Sequence, residues 1–567
     1  FDYWRSSRVI PATINEFPYW SFLFADLHPH MIGIPVTIFL LALALNIALA
    51  AKGMTKKRDP GTAATNEVAN AGLSWGVIKD RAASLLHRAG LGKESPFLRL
   101  ESLAGLGVLA ITLGAVAVIN TWDMPTYFII VLGALLLGNR GLWHWERAVG
   151  ALLVFAIVVV VSLLLYLPFF THYQALYVGL GLVRTRTELE PFLTIWGLFF
   201  FLVVSLLWGQ LVWGRPRQGA LRCLGLCLRR GVRLPRLLDL HQALVRRPRV
   251  TYIVGLLVLV GTALLVVGLL LFQLWVLALL TPLLVLYAFL TLGRRATLED
   301  SFISFLAFLA LGILLGCEIV FLKDFLQGGD HYRMNTIFKF YTQAWVLLAL
   351  VAGVSLPRLW GWFSSVRRRR LGYAWKGAFA LLFASSTVFV SLGTLQRVDD
   401  RFPGARPPWG TLDGSEFMTV GSYTWPDQTN RIQLVHDYEA INWLLENVRG
   451  TPVVAEAPLP YYREFGLKVA SYTGLPTLLG AHQNEQRYDW QVGQRSGDAD
   501  VFYRTVDLEE ARELIDRLNI GYIYVGQLER TIYPEEGLDK FEDLRGFGDL
   551  DLVYRNAGVK IYEVVTE

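Results

Sequence analysis

Apolar residues run in blocks of about twenty along the first two thirds of the chain, separated by polar stretches. A hydrocarbon core about 30 Å thick takes about 20 helical residues to cross, so each block predicts a membrane span. Ten spans are expected, near 31–50, 101–119, 124–139, 149–170, 191–213, 251–271, 273–293, 302–322, 341–357 and 377–395. The sixth and seventh lie so close that Phe272 and Gln273 must make most of their turn. After Leu395 the long blocks stop and shorter, mixed periods begin. Amphipathic helices are expected over Tyr438–Val448 and Leu508–Leu518, and strands at Thr451–Glu456 and Gly521–Gly526. Val469–Gly474 and Pro476–Gly480 read as a strand and a turn, and Leu552–Arg555 with Val559–Val565 as a closing hairpin. The expected fold is a polytopic α-helical membrane domain of about ten spans, residues 1–396, followed by a soluble α/β domain, residues 397–567.

Composition agrees. Of 567 residues, 54% are hydrophobic and only 18% charged, against about 25% in soluble chains, and the mean hydropathy is +0.41. The first residue is Phe with no signal peptide before it, which reads as a fragment or a processed product with further spans upstream. Cys223, Cys227 and Cys317 cannot build a disulfide framework, and no Cys/His set has zinc-finger spacing. The net charge of +6 does not indicate nucleic acid. Its basic residues fill every second loop: 51–100, 139–148, 214–250, Arg294 and Arg295, and Arg367–Arg370. By the positive-inside rule these face the cytoplasm. The remaining loops (1–30, 120–123, 171–190 and 323–340) and the C-terminal domain then share the outer side of a plasma membrane.

The polar chemistry collects on that outer side. The run Glu16–His30 is aromatic in its first half, then places Asp26, His28 and His30 at alternate positions before the first span. Pro29 favours an extended His28, and residues two apart in an extended segment share a face. A helical segment would still pair Asp26 with His30. Such groups at the mouth of a span are candidate catalytic residues. A carboxylate with two imidazoles suits a divalent ion (Mg, Mn or Zn), and equally a metal-free acid/base pair or an interfacial anchor. Asp123, Glu318 and Asp324 are candidates to complete the site. Asp123 alternatively caps the helix that follows. Glu318 at a span end needs a cation, with Lys323 or Arg333 in range. The run Asp330–Tyr341 is basic and aromatic, and is read as an outer loop. Asp330, His331, Arg333, Asn335 and Lys339 are its candidate substrate contacts, the two cations suiting a phosphate. There is no Gly-rich phosphate loop and no dinucleotide fingerprint, so no nucleotide cofactor is expected.

Several runs resemble the large "YYY" membrane-protein family: FPYWSFLFADLHPH (17–30), RMNTIFKFY (333–341), TLDGSEFM (411–418), TGLPTLLG (473–480) and YIYVGQLER (522–530). That family is distantly similar to the GT-C membrane glycosyltransferases. The resemblance implies a polyprenyl-phosphate-linked sugar donor and a glycan, lipid or protein acceptor. It also implies an outer-face active site with an essential loop acid, carried here by Asp26. Relatives follow the TGLPTLLG-like turn with Trp and a His–Glu pair. Here Ala481–Arg487 has no Trp and separates His482 from Glu485, the candidate substrate contacts at that turn. The expected function is therefore a GT-C-type glycosyltransferase of the cell envelope. The rivals are a transporter or flippase for lipid-linked glycans, and a non-enzymatic envelope scaffold. Span interiors almost purely apolar count against a transport path.

Overall fold

A computed structural model describes residues 2–25, 28–57, 100–139, 142, 144–173, 177–213, 221–222, 224–225, 228, 250–293, 296–365, 369–402, 406, 408, 410–425, 429–458, 466–480 and 489–565. Asp26, His482, Glu485, Cys223, Cys227 and most of the basic connections lie outside these residues. The chain divides into two compact units, Phe1–Arg397 and Val398–Glu567.

The first unit is a helical bundle. A short α1 (Pro18–Phe24) precedes α2 (Pro29–Lys57), α3 (Leu100–Ile119), α4 (Met124–Gly138) and α5 (Trp145–Leu165). Strand β1 (Gly179–Leu182) leads to α6 (Leu189–Val212), α7 (Val250–Leu271), α8 (Trp275–Thr291) and α9 (Leu298–Cys317). Strand β2 (Val320–Lys323) leads to α10 (Met334–Ser364) and α11 (Arg369–Val388), which continues through a π-turn, Phe389–Gly393, into α12 (Thr394–Arg401). Among the described residues, seven helices are long and apolar enough to cross a membrane, and three shorter apolar helices fill the remaining expected spans. The α7–α8 turn is where expected, with Gln273 in the left-handed region (φ 58°).

Water drives nothing together inside a bilayer, so small residues and close backbones hold such a bundle. A Cβ at Gly138 of α4 would stand 2.7 Å from Ala48 Cα of α2, so glycine permits that approach. Helix α10 is the central post: Ile337, Tyr341, Ala344, Leu347 and Val351 are buried along it. Helix α7, by contrast, is almost wholly exposed along its length, as a lipid-facing span can be.

Several expectations are corrected. Residues 334–341, read as loop, are the first turns of α10. The eighth span ends at Cys317, not 322, because Val320–Lys323 pairs antiparallel with Gly179–Leu182. Pro29 opens α2 as its first residue, a position that needs no N–H, so His28 stays outside the helix and, of the two readings, the helical one holds for His30. Residues 167–170 form a separate helical turn after Tyr166, where Pro168 follows.

The second unit is α/β. A hairpin, β3 (Ser422–Thr424) with β4 (Arg431–Gln433), precedes α13 (Leu434–Asn447). The main sheet has the order β5-β6-β8-β7, from β5 (Val453–Ala455), β6 (Ile520–Val525), β7 (Leu550–Arg555) and β8 (Lys560–Val564). Strands β5 and β6 run parallel and the other pairs antiparallel. The helix Leu508–Leu518 is capped by Asp507, which accepts from the Glu509 and Glu510 amides, and ends on a left-handed Asn519. Lys468–Thr473 is a helix, not the expected strand. The Glu456 carboxylate accepts from the Val469 and Ala470 amides at 2.8 and 2.9 Å, satisfying the orphan donors of that helix start. This tertiary cap outweighs the β-leaning composition of the segment.

Candidate active site at one end of the bundle

Helices α2, α4 and α10 bring their N-terminal ends together. His30 is in the first turn of α2, Asp123 immediately precedes α4, and Lys339 is in the second turn of α10. One turn beyond His30, a Cβ at Gly33 would lie 3.3 Å from Asp123 Oδ2, so the carboxyl faces α2 directly. Lys339 is within electrostatic reach of both Asp123 and His30. Asp123 occupies the N-cap position of α4, yet its side chain makes no cap hydrogen bond; the buried carboxyl faces the side chains of Asn120 and Gln343 instead. Burial pushes that carboxyl up to about 7, against the opposing pull of the Asn120 side chain first and then of Lys339 and Gln343. Gln343, one turn after Lys339, donates to Trp122 O at 3.0 Å and accepts from Thr126 Oγ1 at 2.5 Å. It ties α10 to the start of α4.

His30 is buried. Its Nε2 lies 3.1 Å from Ser21 Oγ and 3.4 Å from Glu16 Oε2, and Ser21 donates to the same Glu16 oxygen at 3.0 Å. Its ring stands 5.1 Å from that of His28 and 4.6 Å from Phe338. Among the described residues, Nδ1 of His30 has no hydrogen-bond partner. A buried polar atom left so costs about 1–3 kcal/mol, a cost that sites for ligands commonly carry. Among the described residues no three His, Cys, Asp or Glu side chains are placed to hold a metal ion.

A second cluster sits at the C-terminal end of α9. Glu318, fully buried, accepts from Thr187 N at 2.8 Å and Thr187 Oγ1 at 2.5 Å. Arg333 Nη1 lies 3.5 Å from Glu318, and its Nη2 donates to Thr187 Oγ1 at 3.1 Å. Arg333 is therefore the counter-ion of Glu318, and only 4% exposed. Tyr332 OH accepts from the Arg184 and Thr185 amides, each at 2.9 Å. Together these fasten the connection before α6 to the connection before α10. Asp324 accepts from Leu326 N and from Asn335 Nδ2, both at 2.8 Å, which shapes the turn after β2. Asp330 and His331 are exposed on the same connection.

The expected residues thus separate. His28 lies against His30, and Lys339 lies within electrostatic reach of His30 and Asp123, so these four gather where α2, α4 and α10 begin. Glu318 pairs with Arg333, and Asp324 with Asn335. Sequence reasoning passed over Glu16, Ser21, Thr187 and Gln343. The available signal was an uncharged polar residue inside an apolar run, as Gln343 is. It also passed over Lys468 of the second unit, buried with Asp437 and Glu529 at 3.9 and 3.4 Å.

Among curated proteins, none matches the chain in sequence. Residues 1–348 match a family described as "Uncharacterized membrane protein (DUF2298)". Among solved structures, one similar chain is the archaeal oligosaccharyltransferase AglB from Archaeoglobus fulgidus, in complex with an inhibitory peptide and a dolichol-phosphate. The identity is 15% and the TM-score 0.27, over 78% of this chain and 50% of that one. The chain thus spans half the length of that protein.

Proposed function

Taking as premise that the chain belongs to the DUF2298 family of membrane proteins, we propose that it is a membrane-embedded glycosyltransferase of GT-C type. Its donor is a sugar carried on a polyprenyl phosphate, and its acceptor a glycan, lipid or protein at the outer face. The observation that carries this reading is the convergence of His30, Asp123 and Lys339 where three helices begin.

In this reading Asp26 takes the proton of the acceptor hydroxyl, a role that asks for a carboxylate within hydrogen-bond reach. His28 and His30 orient it. Glu16 and Ser21 fix the ring of His30 through Nε2 and leave Nδ1 for a substrate hydroxyl. Lys339 offsets the charge that develops on the departing phosphate. Glu318 and Arg333 hold the surrounding loops in register, and the second unit, with His482 and Glu485, selects the acceptor. A divalent ion would take Asp26 with His28 and His30 and would supply a Lewis acid. The described residues offer only the two imidazoles, so no step is assigned to it.

The test is transfer by the purified full chain from a polyprenyl-phosphate-linked sugar. Asp26→Asn is expected to lower the rate about 100-fold or more, as loss of a general base does. An undiminished rate eliminates the role.

A further inference from the structure

The end of the last span grips the segment that leads into the candidate site, and it does so through a charge. Arg397 of α12 is buried, with its guanidinium 4.9 Å from the Phe24 ring centroid, 5.2 Å from Tyr3 and 5.9 Å from Trp4. Its Nη2 donates to Phe24 O at 3.3 Å. Phe24 is the last residue of α1, and Ala25 follows in the left-handed region (φ 61°), where the chain turns out of the helix. The rings are themselves locked: Tyr3 OH donates to Trp20 O, Trp20 Nε1 donates to Tyr3 O, and Tyr3, Trp20 and Phe24 stack at 5.0 Å intervals.

Three more contacts come from the same helix. Tyr19 OH and Thr394 Oγ1 lie 2.8 Å apart, and Phe389 packs on Phe17 at 4.9 Å and Tyr3 at 5.9 Å. In an α-helix, residues five apart point about 140° from one another at 3.6 residues per turn. Phe389–Gly393 is a π-turn, whose i→i+5 bonds bring residues five apart close to one face. The π-turn therefore lets Phe389 and Thr394 meet the same partner, and Arg397, three residues on, joins them. Gly393 is needed there, because a Cβ would lie 2.8 Å from the Phe389 ring.

A guanidinium is a costly way to fill an aromatic box. A methionine would fill comparable space without desolvating a charge. What arginine adds is direction: a planar face for the rings and a donor aimed at one carbonyl. We propose that Arg397 is a positioning residue, which holds the carbonyl of Phe24 at the end of α1 and thereby sets where the chain resumes at His28–His30 in the site. This rests on the glycosyltransferase reading only for its consequence in the reaction; the clasp itself is read from contacts.

The experiment compares the full-length wild type with Arg397→Met in two readouts. Amide exchange is measured over peptides covering residues 22–32, and transfer kinetics over donor concentration. The variant is expected to exchange about tenfold faster in that segment, with kcat down at least tenfold and KM for the donor within about twofold. Tyr19→Phe removes the other polar tie and serves as the second variant, with a smaller rise in exchange over the same peptides. Unchanged exchange in Arg397→Met overturns the proposal, and so does a rise spread evenly over the bundle. Faster local exchange with kcat intact overturns the positioning role. Were the wild type to transfer no sugar, the function would fall while the exchange readout still decided the clasp.

Discussion

At the scale of residues, this cluster depends on what is missing as much as on what is present. Gly33 leaves room for Asp123. Gly33→Ala places a methyl 3.3 Å from Oδ2, a fit that needs only a few tenths of an ångström of give, and alanine is the better helix former by about 1 kcal/mol. It is expected to leave thermal stability in detergent unchanged or slightly raised. Gly33→Val adds branches that displace the carboxyl, and transfer is expected to fall about tenfold. Kinetics and melting of the pair, side by side, check this. The histidines and Lys339 were legible as chemistry because charged or titratable groups at span ends stand out from apolar runs. Their partners were not. Ser21 and Glu16 lie 9 and 14 residues before His30, a separation that no periodicity links, and Thr187 meets Glu318 across 131 residues. The same blindness made Arg333 look like a phosphate site. Its charge was visible and Glu318 was already a possible partner, but Thr187, which completes the pairing from 131 residues away, was not.

At the scale of elements, spans were legible and their ends were not. An apolar run fixes a helix in a bilayer almost alone. Yet Val320–Leu322 is as apolar as the span it follows and still forms a strand, since Gly179–Leu182 offers it an edge. In the second unit, the helix Lys468–Thr473 hangs on Glu456, and this carries a pH dependence. Burial raises Glu456 from its ordinary 4.5 to about 7 despite Lys468 and the two amides, and raises Asp437 as well. Between those two values the folded protein holds a proton that the unfolded chain has released, so stability falls as pH rises from about 4.5 to about 7 and levels off above. Exchange protection of the Val469 and Ala470 amides, corrected for intrinsic rates, is expected to be greater at pH 5 than at pH 8. Glu456→Gln should flatten that difference.

At the scale of the molecule, the alternation of basic and polar loops predicts sidedness. The exposed His331 and the exposed Phe547 are suitable reporters. Cysteines introduced singly at these positions, in a background lacking the native three, are expected to react with a membrane-impermeant reagent from the same, outer side of intact cells. Labelling from opposite sides would leave the proposed reaction without a compartment. The abrupt change in hydropathy after Leu395 falls close to the boundary between the two compact units, Phe1–Arg397 and Val398–Glu567. The arrangement of spans around α10 could not be seen that way, as apolar faces turned to lipid and to protein look alike.

The placement of Lys339 in the ninth span also has a consequence for biosynthesis. A ribosome delivers His30 and Asp123 to the membrane with α2 to α4, but their shared cation arrives some two hundred residues later. Until then the cation that reaches both His30 and Asp123 is missing, and in the proposed reading the centre is incomplete. If the proposed reading holds, release of a chain short of that point would yield an inserted but inert product, and activity would begin only when α10 is in place.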